Sequence, residues 1–298
     1  MHFYSLAHSA YTIARKIATA AGLAKPLRKL IGPQAGRFVS NLTVDANRLS
    51  EVRGHRMFLA SDGAYAPIAM ATDKYEEETT RLFERLVKPG MVVVDVGSHV
   101  GYYALVAARQ VGPAGRVYAF EPEPGNHGLL LRNIELNRYT NVVAIRKAVS
   151  NKVGLTTLFL TGLDNGRHST YRHGLPEKGS VSVETTTVDA FLTAEGWPTV
   201  DLVKVDVEGA EMDVLAGMGQ LLDKSRDLKL IIEFSPSLLR GAGASPLQFL
   251  RHLGVLDFEV NCISARDGLS SLREADRPPL IDKLLKSEGS LNLFCSKR

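Results

Sequence analysis

The chain has 298 residues, of which 45% are apolar and 23% charged, and its net charge is +4. These proportions are those of a folded globular protein and exclude a disordered or fibrous chain. The two cysteines, Cys262 and Cys295, form no CxxC pair, which argues against a disulfide framework or a cysteine zinc site and suits a reducing cytoplasm.

Residues 1–35 read as a helical arm. The segment is rich in apolar residues, but Arg15 and Lys16 interrupt it, and no run is long enough to span a membrane. Arg15, Lys16, Lys25, Arg28 and Lys29 stand among apolar residues, a pattern that suits packing on the chain's own domain and leaves a peripheral membrane contact open. The expected location is cytoplasmic. Residues 36–80 read as a small strand-containing extension, with Met57–Ala60 and Pro67–Met70 as short strands around an Asp62-Gly63 turn.

From 81 to 298 strand-like and helix-like segments alternate, the signature of a mostly parallel sheet flanked by helices, an α/β fold. Seven apolar runs have the length of buried strands: Met91–Val96, Val117–Phe120, Val142–Ala148, Leu202–Val207, Leu228–Phe234, Phe258–Ile263 and Leu291–Ser296. Leu130 and Ile134 share a helical face, as do Val214, Met218 and Leu221. Ser245-Pro246 opens a helix that Gly254 closes. Residues 155–187 break the alternation. Leu158–Leu160 and the Val181/Val183/Thr185/Thr187 pattern suggest two extra strands, joined by a polar loop, Asp164–His173, of a kind that covers a site.

The strongest local signal is Val94-Asp95-Val96-Gly97-Ser98-His99-Val100-Gly101, where a buried strand ends in an acid and a glycine turn opens a helix near Tyr102. Gly97 allows a tight turn and close backbone approach to a ligand. The free N–H groups of the helix favour a carboxylate, and Asp95 suits an ammonium group, so the turn fits a cofactor with an amino-acid tail. It is not the G-x-G-x-x-G fingerprint, and an acid here would repel a pyrophosphate. Glu121 ends the next strand, 24 positions beyond Gly97, close to the spacing at which an acid meets ribose hydroxyls. A third strand ends in Lys204-Val205-Asp206-Val207-Glu208-Gly209-Ala210-Glu211. Ligands sit at the carboxyl ends of the strands in open α/β sheets, where Asp95, Glu121 and Asp206 would gather. Glu211 reads as a first-turn acid that favours the helix dipole.

Taken in order, these segments resemble the FkbM-type methyltransferases. The resemblance is carried by Tyr75-Glu76, Val87-Lys88-Pro89-Gly90, Asp95 to Tyr103, Phe120-Glu121-Pro122, Asn126, Asn133 and Asn137, Thr187-Val188-Asp189, Lys204 to Glu211, and Ile232-Glu233-Phe234. It covers roughly residues 70–235. It implies a class I Rossmann-like fold with a seven-stranded sheet, S-adenosylmethionine as cofactor and, commonly, O-methylation of sugar or polyketide hydroxyls. By position, Asp95, Gly97, Ser98 and Gly101 would hold the methionine end, Glu121 the ribose, and Asp206 would lie at the cofactor. Ser98-His99 replaces the family's common Ala-Asn, so His99 has no assigned role. Asn165-Gly166-Arg167-His168-Ser169 matches the family's serine-containing loop only loosely.

A neutral hydroxyl is a poor nucleophile, so a general base is expected, with Asp206 first, then Glu208 and His168, and Glu233 as a further candidate. Asp206 and Glu233 are oxygen ligands that suit magnesium, but two carboxylates do not make a site, and no metal is expected. The expected partner is a small-molecule or carbohydrate acceptor, such as a glycolipid. The sequence carries neither a dense basic run nor the Asn/Asp-Pro-Pro-aromatic turn of base methylators, so no nucleic acid is expected. The alternatives are a nucleic-acid or other N-methyltransferase, a nucleotide-dependent oxidoreductase, and a binding module without turnover.

Overall fold

The computed structural model describes residues 49–59, 65–162, 166–264 and 268–297. The helical arm expected at 1–35 and the Asp62-Gly63 pair lie outside them. The chain divides into two compact units, up to Glu77 and from Glu78 onward.

In the first unit, β1 (Leu49–Val52) pairs antiparallel with β2 (His55–Phe58). The two-residue turn between them is Arg53-Gly54, with φ of 51° and 75°. Two successive positive φ values are the geometry that matches strand twist in a tight hairpin, and glycine at the second position makes it accessible. The strand expected at Pro67–Met70 is instead part of α1 (Tyr65–Ala71). Alanine and methionine favour a helix, and Pro67 falls in its first turn, where a backbone N–H has no intrahelical partner to lose.

The second unit holds an eight-stranded sheet in the order β12 (Gly268–Ser271), β11 (Phe258–Ser264), β13 (Leu291–Lys297), β10 (Lys229–Phe234), β9 (Leu202–Val205), β3 (Val92–Val96), β4 (Arg116–Phe120), β5 (Val142–Ile145). The central strands are β3, β4, β5, β9 and β10, all parallel. β13 runs antiparallel between β10 and β11, and β12 adds an edge strand beyond the seven expected. Residues 142–148 do not form one strand. The chain leaves the sheet at Arg146-Lys147, and β6 (Ala148–Val149) joins β7 (Gly154–Thr161) and β8 (Glu177–Thr186) in a separate three-stranded sheet. Chain order reverses at β3, whose neighbours are β4 and β9, and such a reversal opens a crevice at the carboxyl ends of the strands.

Both faces of the large sheet are covered, which is why its strands read as mostly apolar runs, with Asp95 in β3 and Lys204 in β9 as charged exceptions. One face, with Val94, Val96, Phe120, Val203, Val205 and Ile232, packs against Leu192, Leu215, Leu222, Phe249 and Leu253 from the following helices. Residues alternate across a strand, so Asp95 and Lys204, each between two of those valines, point to the opposite face. That face meets α3 (Tyr102–Val111), the next helix in the chain after α2 (Glu77–Leu86), and the Lys204 ammonium lies 4.5 Å over the Tyr103 ring. Among the described residues, no helix is long and apolar enough to cross a membrane.

Asn141 secures α3 where it ends. Its buried Nδ2 donates to the carbonyls of Ala108 and Gly112, each at 2.8 Å. Asn141→Ala strips both acceptors of their partner and is expected to cost roughly 1–3 kcal/mol in urea unfolding, with the m-value unchanged. A change within experimental error would show that these carbonyls find other partners.

Candidate active site

A cleft of about 570 Å³ opens at the carboxyl ends of β3, β4 and β9. Gly97, Glu121, Asp206, Glu208 and His168 all line it, so five of the expected site residues converge there. Asp95, Ser98 and Gly101 lie behind its wall and shape it from beneath: all three are buried, and none reaches the lining.

The turn after β3 depends on glycine. Gly97 has φ 84°, and a Cβ there would stand 1.8 Å from the Asp206 carbonyl oxygen. The β3 and β9 loops thus approach backbone to backbone, and any side chain at 97 would force them apart. The N–H groups of Gly97 and Ser98 both donate to the Phe120 carbonyl at 3.0 and 2.9 Å, and the Ser98 hydroxyl donates to the Asp95 carbonyl at 2.8 Å. Gly101, at φ 96°, starts α3, and a Cβ there would press into Leu130.

Asp95 is 1% exposed, and neither carboxylate oxygen has a hydrogen-bond partner. Burial pushes its pKa up to about 6 against the opposing pull of Lys204. Lys204 stands opposite Asp95 in the register of β3 and β9, is 2% exposed, and holds Asp206 Oδ2 at 2.9 Å. One buried ammonium thus bonds one carboxylate and acts on the second through its charge alone. Lys204 lies in an otherwise apolar strand, and that lone charge was the sequence signal for it.

Glu121 is no solvated strand-end residue. It is 6% exposed, Oε2 accepts from His99 N–H at 2.8 Å, and Oε1 accepts from Glu123 N–H at 2.9 Å. Burial raises its pKa to about 7, with those two donors pulling the other way. Each oxygen keeps a second lone pair for a ligand hydroxyl. His99, at φ 51°, acquires a role through its backbone: it bonds Glu121 and lines the cleft. The remaining wall near Glu121 is Pro122, Asn126, Ala148, Val149 and Leu158, a largely apolar surface of the kind a purine requires.

Across the cleft, Glu208 has φ 52°, its side chain is 13% exposed, and Arg167 Nε lies 3.7 Å from it. His168 Nδ1 accepts from Thr161 N–H at 3.2 Å. A neutral imidazole occupied in that way carries its proton on Nε2 and offers a donor there, not the lone pair a base needs. Glu233, at the end of β10, brings a carboxylate oxygen within 4.8 Å of those of Asp206 and Glu208. Its pKa is raised well above the usual carboxylate range, by burial first and then by the Asp206 and Glu208 charges. The three oxygens are a ligand set suited to a hard divalent cation. Glu211 sits in the first turn of a helix, as its position implied, and its Oε1 accepts from Gly209 N–H at 3.1 Å. Sequence reading gave no role to Ser169 and His173, which tie the 166–173 loop to Glu208, nor to Lys147, which lines the cleft.

The methyltransferase FkbM domain model matches residues 95–258. The chain belongs to that family. Among curated proteins, the hexuronic acid methyltransferase AglP of Haloferax volcanii is 30% identical over 148 residues, 49% of this chain and 58% of that protein. The 2-O-methyltransferase NoeI of Sinorhizobium fredii is 28% identical over 155 residues, 47% of this chain and 63% of that protein. The chain therefore spans less than two thirds of either relative. A solved SAM-dependent O-methyltransferase from Thermotoga maritima aligns over 85% of this chain and 86% of its own at 13% identity, with a TM-score of 0.42.

The residues of this FkbM domain fit S-adenosylmethionine. Asp95 supplies unpartnered buried carboxylate oxygens beneath the turn, Gly97 keeps that turn free of side chain, and Glu121 faces the cleft with acceptor capacity left.

Burial also sets a pH signature. Glu211, 2% exposed, has its pKa raised from 4.5 to about 7. Between those values the folded chain holds a proton that the unfolded chain has released, so the contribution is full below about 4.5 and is lost as pH rises through about 7. Glu211→Gln mimics the protonated form and keeps the Gly209 bond. Its stability relative to the parent should therefore rise from pH 5 to 7.5 in urea unfolding; a difference constant with pH would contradict the assignment.

Proposed function

We propose that this chain transfers a methyl group from S-adenosylmethionine to a hydroxyl of a sugar or similar polyhydroxylated small molecule. The observation that carries the reading is that Glu121 and Gly97 line the same cleft as Asp206 and Glu208. Groups suited to an adenosine-bearing cation and groups suited to a hydroxyl acceptor thus share one cavity. The names of the two relatives, one acting on a hexuronic acid and one at a 2-O position, support a carbohydrate acceptor.

When bound, S-adenosylmethionine supplies a methyl group made electrophilic by its sulfonium. The chain's main task is alignment, since displacement at carbon requires acceptor oxygen, methyl and sulfur in line. Glu121 accepts the ribose hydroxyls on the lone pairs that His99 and Glu123 leave open. Asp95 acts from beneath the glycine turn, favouring positive charge above it. The apolar wall of Ala148, Val149 and Leu158 excludes water from the purine side. Asp206 takes the acceptor proton; the bond from Lys204 to Oδ2 fixes that carboxylate and leaves Oδ1 for the acceptor. Glu208 hydrogen-bonds the acceptor beside it.

The test is incubation with methyl-labelled S-adenosylmethionine and separate panels of uronic-acid glycosides, neutral glycosides and hydroxylated lipids, with mass detection of the methylated product. Methylated glycoside is expected. Asp206→Asn should lower turnover by about 10²–10⁴-fold with S-adenosylhomocysteine affinity held within about threefold. Glu121→Gln should weaken that affinity about tenfold. Unchanged turnover in Asp206→Asn would move the base to Glu208, and label found only on nucleic acid or protein would overturn the acceptor class.

A further inference from the structure

Residues 166–173 follow β7 and supply Gly166, His168 and Thr170 to the cleft wall. Their ties converge on one backbone atom across the cleft. The Glu208 carbonyl accepts from Ser169 Oγ at 2.7 Å and lies 2.8 Å from His173 Nε2. Ser169 Oγ, 3.0 Å from the same Nε2, also accepts from Tyr171 N–H at 3.1 Å.

The tautomer follows from these partners. A carbonyl oxygen only accepts, so Nε2 carries the proton and donates it to Glu208. Nδ1 is then a bare lone pair, and it is buried without a partner. Burial also lowers the ring's pKa, which keeps it in this neutral form.

The ring sits in a slot made by two glycines. A Cβ on Gly241 would stand 2.5 Å from His173 Nδ1, and one on Gly209 would stand 2.9 Å from Cε1. Glu208 and Gly209 are both left-handed, at φ 52° and 102°. For a glutamate that conformation persists only when its surroundings hold it. The two donors on the Glu208 carbonyl are such a hold, and the direction of the Glu208 side chain follows from the backbone they fix.

We propose that His173 is a positioning residue: with Ser169 it pins the Glu208 carbonyl, holds the left-handed turn, and so fixes both the Glu208 carboxylate and the 166–170 wall of the cleft. The proposal rests on the methyl-transfer reading for what the cleft holds, while the pinning stands apart from it.

Hydrogen–deuterium exchange of the full chain separates the two. His173→Phe fills the slot but donates nothing; His173→Gln restores an N–H donor. Exchange in peptides covering 166–173 and 206–210 should rise about tenfold in His173→Phe, as expected for one lost hydrogen bond, and return to within about twofold of the parent in His173→Gln. The β10 peptide should be unchanged in both. Unchanged exchange at 206–210 in His173→Phe, or a glutamine variant as loose as phenylalanine, overturns the proposal. If His173→Phe does not fold, Ser169→Ala decides: loosening of both peptides supports the pin, and an unchanged 206–210 peptide refutes it. On the assay above, His173→Phe should lower turnover about 10-fold or more with S-adenosylhomocysteine affinity within about threefold, and His173→Gln should restore it. Absence of S-adenosylhomocysteine binding in the parent chain would sink the methyl-transfer reading while leaving the exchange result to judge the pin.

Discussion

A single ammonium, buried in the middle of a parallel sheet, sets the electrostatics of the cleft. Lys204 is 2% exposed, bonds Asp206 at 2.9 Å and faces Asp95 on the neighbouring strand. Removing a lysine from water costs several kcal/mol unless its charge is compensated, and here the compensation comes from Asp206 in the cleft wall, with Asp95 nearby beneath it. The pairing cuts both ways. Lys204 opposes the effect of burial on Asp95, and its bond to Asp206 compensates the cost of burying the ammonium. Around this pair stand Glu121, Glu208, Glu211 and Glu233; burial holds Glu121, Glu211 and Glu233 toward their protonated forms, and a cation added at the carboxyl edge favours their ionisation.

Backbone geometry then decides where that cation goes. The β3 and β9 loops touch at Gly97 and the Asp206 carbonyl, so the cleft floor is main chain rather than side chain. Glu121 is held by two backbone donors, one from each adjoining turn, which makes it both an anchor for those turns and a fixed acceptor facing the cavity. On the far side, the wall is tied to Glu208 through Ser169 and His173. The glycines at 97, 209 and 241 belong to one design principle: close approach where a side chain would intervene.

Much of this was legible from residue order, for identifiable reasons. The strands showed because sheets covered on both faces need apolar runs, as in Val92–Val94 and Leu230–Ile232. The strand-end acids showed because open α/β sheets bring carboxyl ends together. The hairpin was misplaced because Asp62-Gly63 is the stronger turn dipeptide by composition, while the turn that pairs β1 with β2 is Arg53-Gly54. The eighth strand, Gly268–Ser271, is fully exposed and lacks the apolar signal that marked the others. Asp95 read as a contact residue and lies beneath the wall instead, a difference that depends on side-chain depth and not on spacing. Ser169 and His173 were invisible as a pair because their common partner is a backbone carbonyl 35 or more positions away.

The central claim is that a desolvated acidic edge grips a cationic donor. Calorimetric titration with S-adenosylmethionine from pH 5 to 8, in two buffers of different ionisation enthalpy, tests it most directly. Asp95 is held to a pKa of about 6 and Glu121 to about 7, and a bound cation favours their ionised forms. Affinity should therefore climb across that range, with net proton release near pH 6. Saturable binding that is flat with pH and releases no proton would contradict the account.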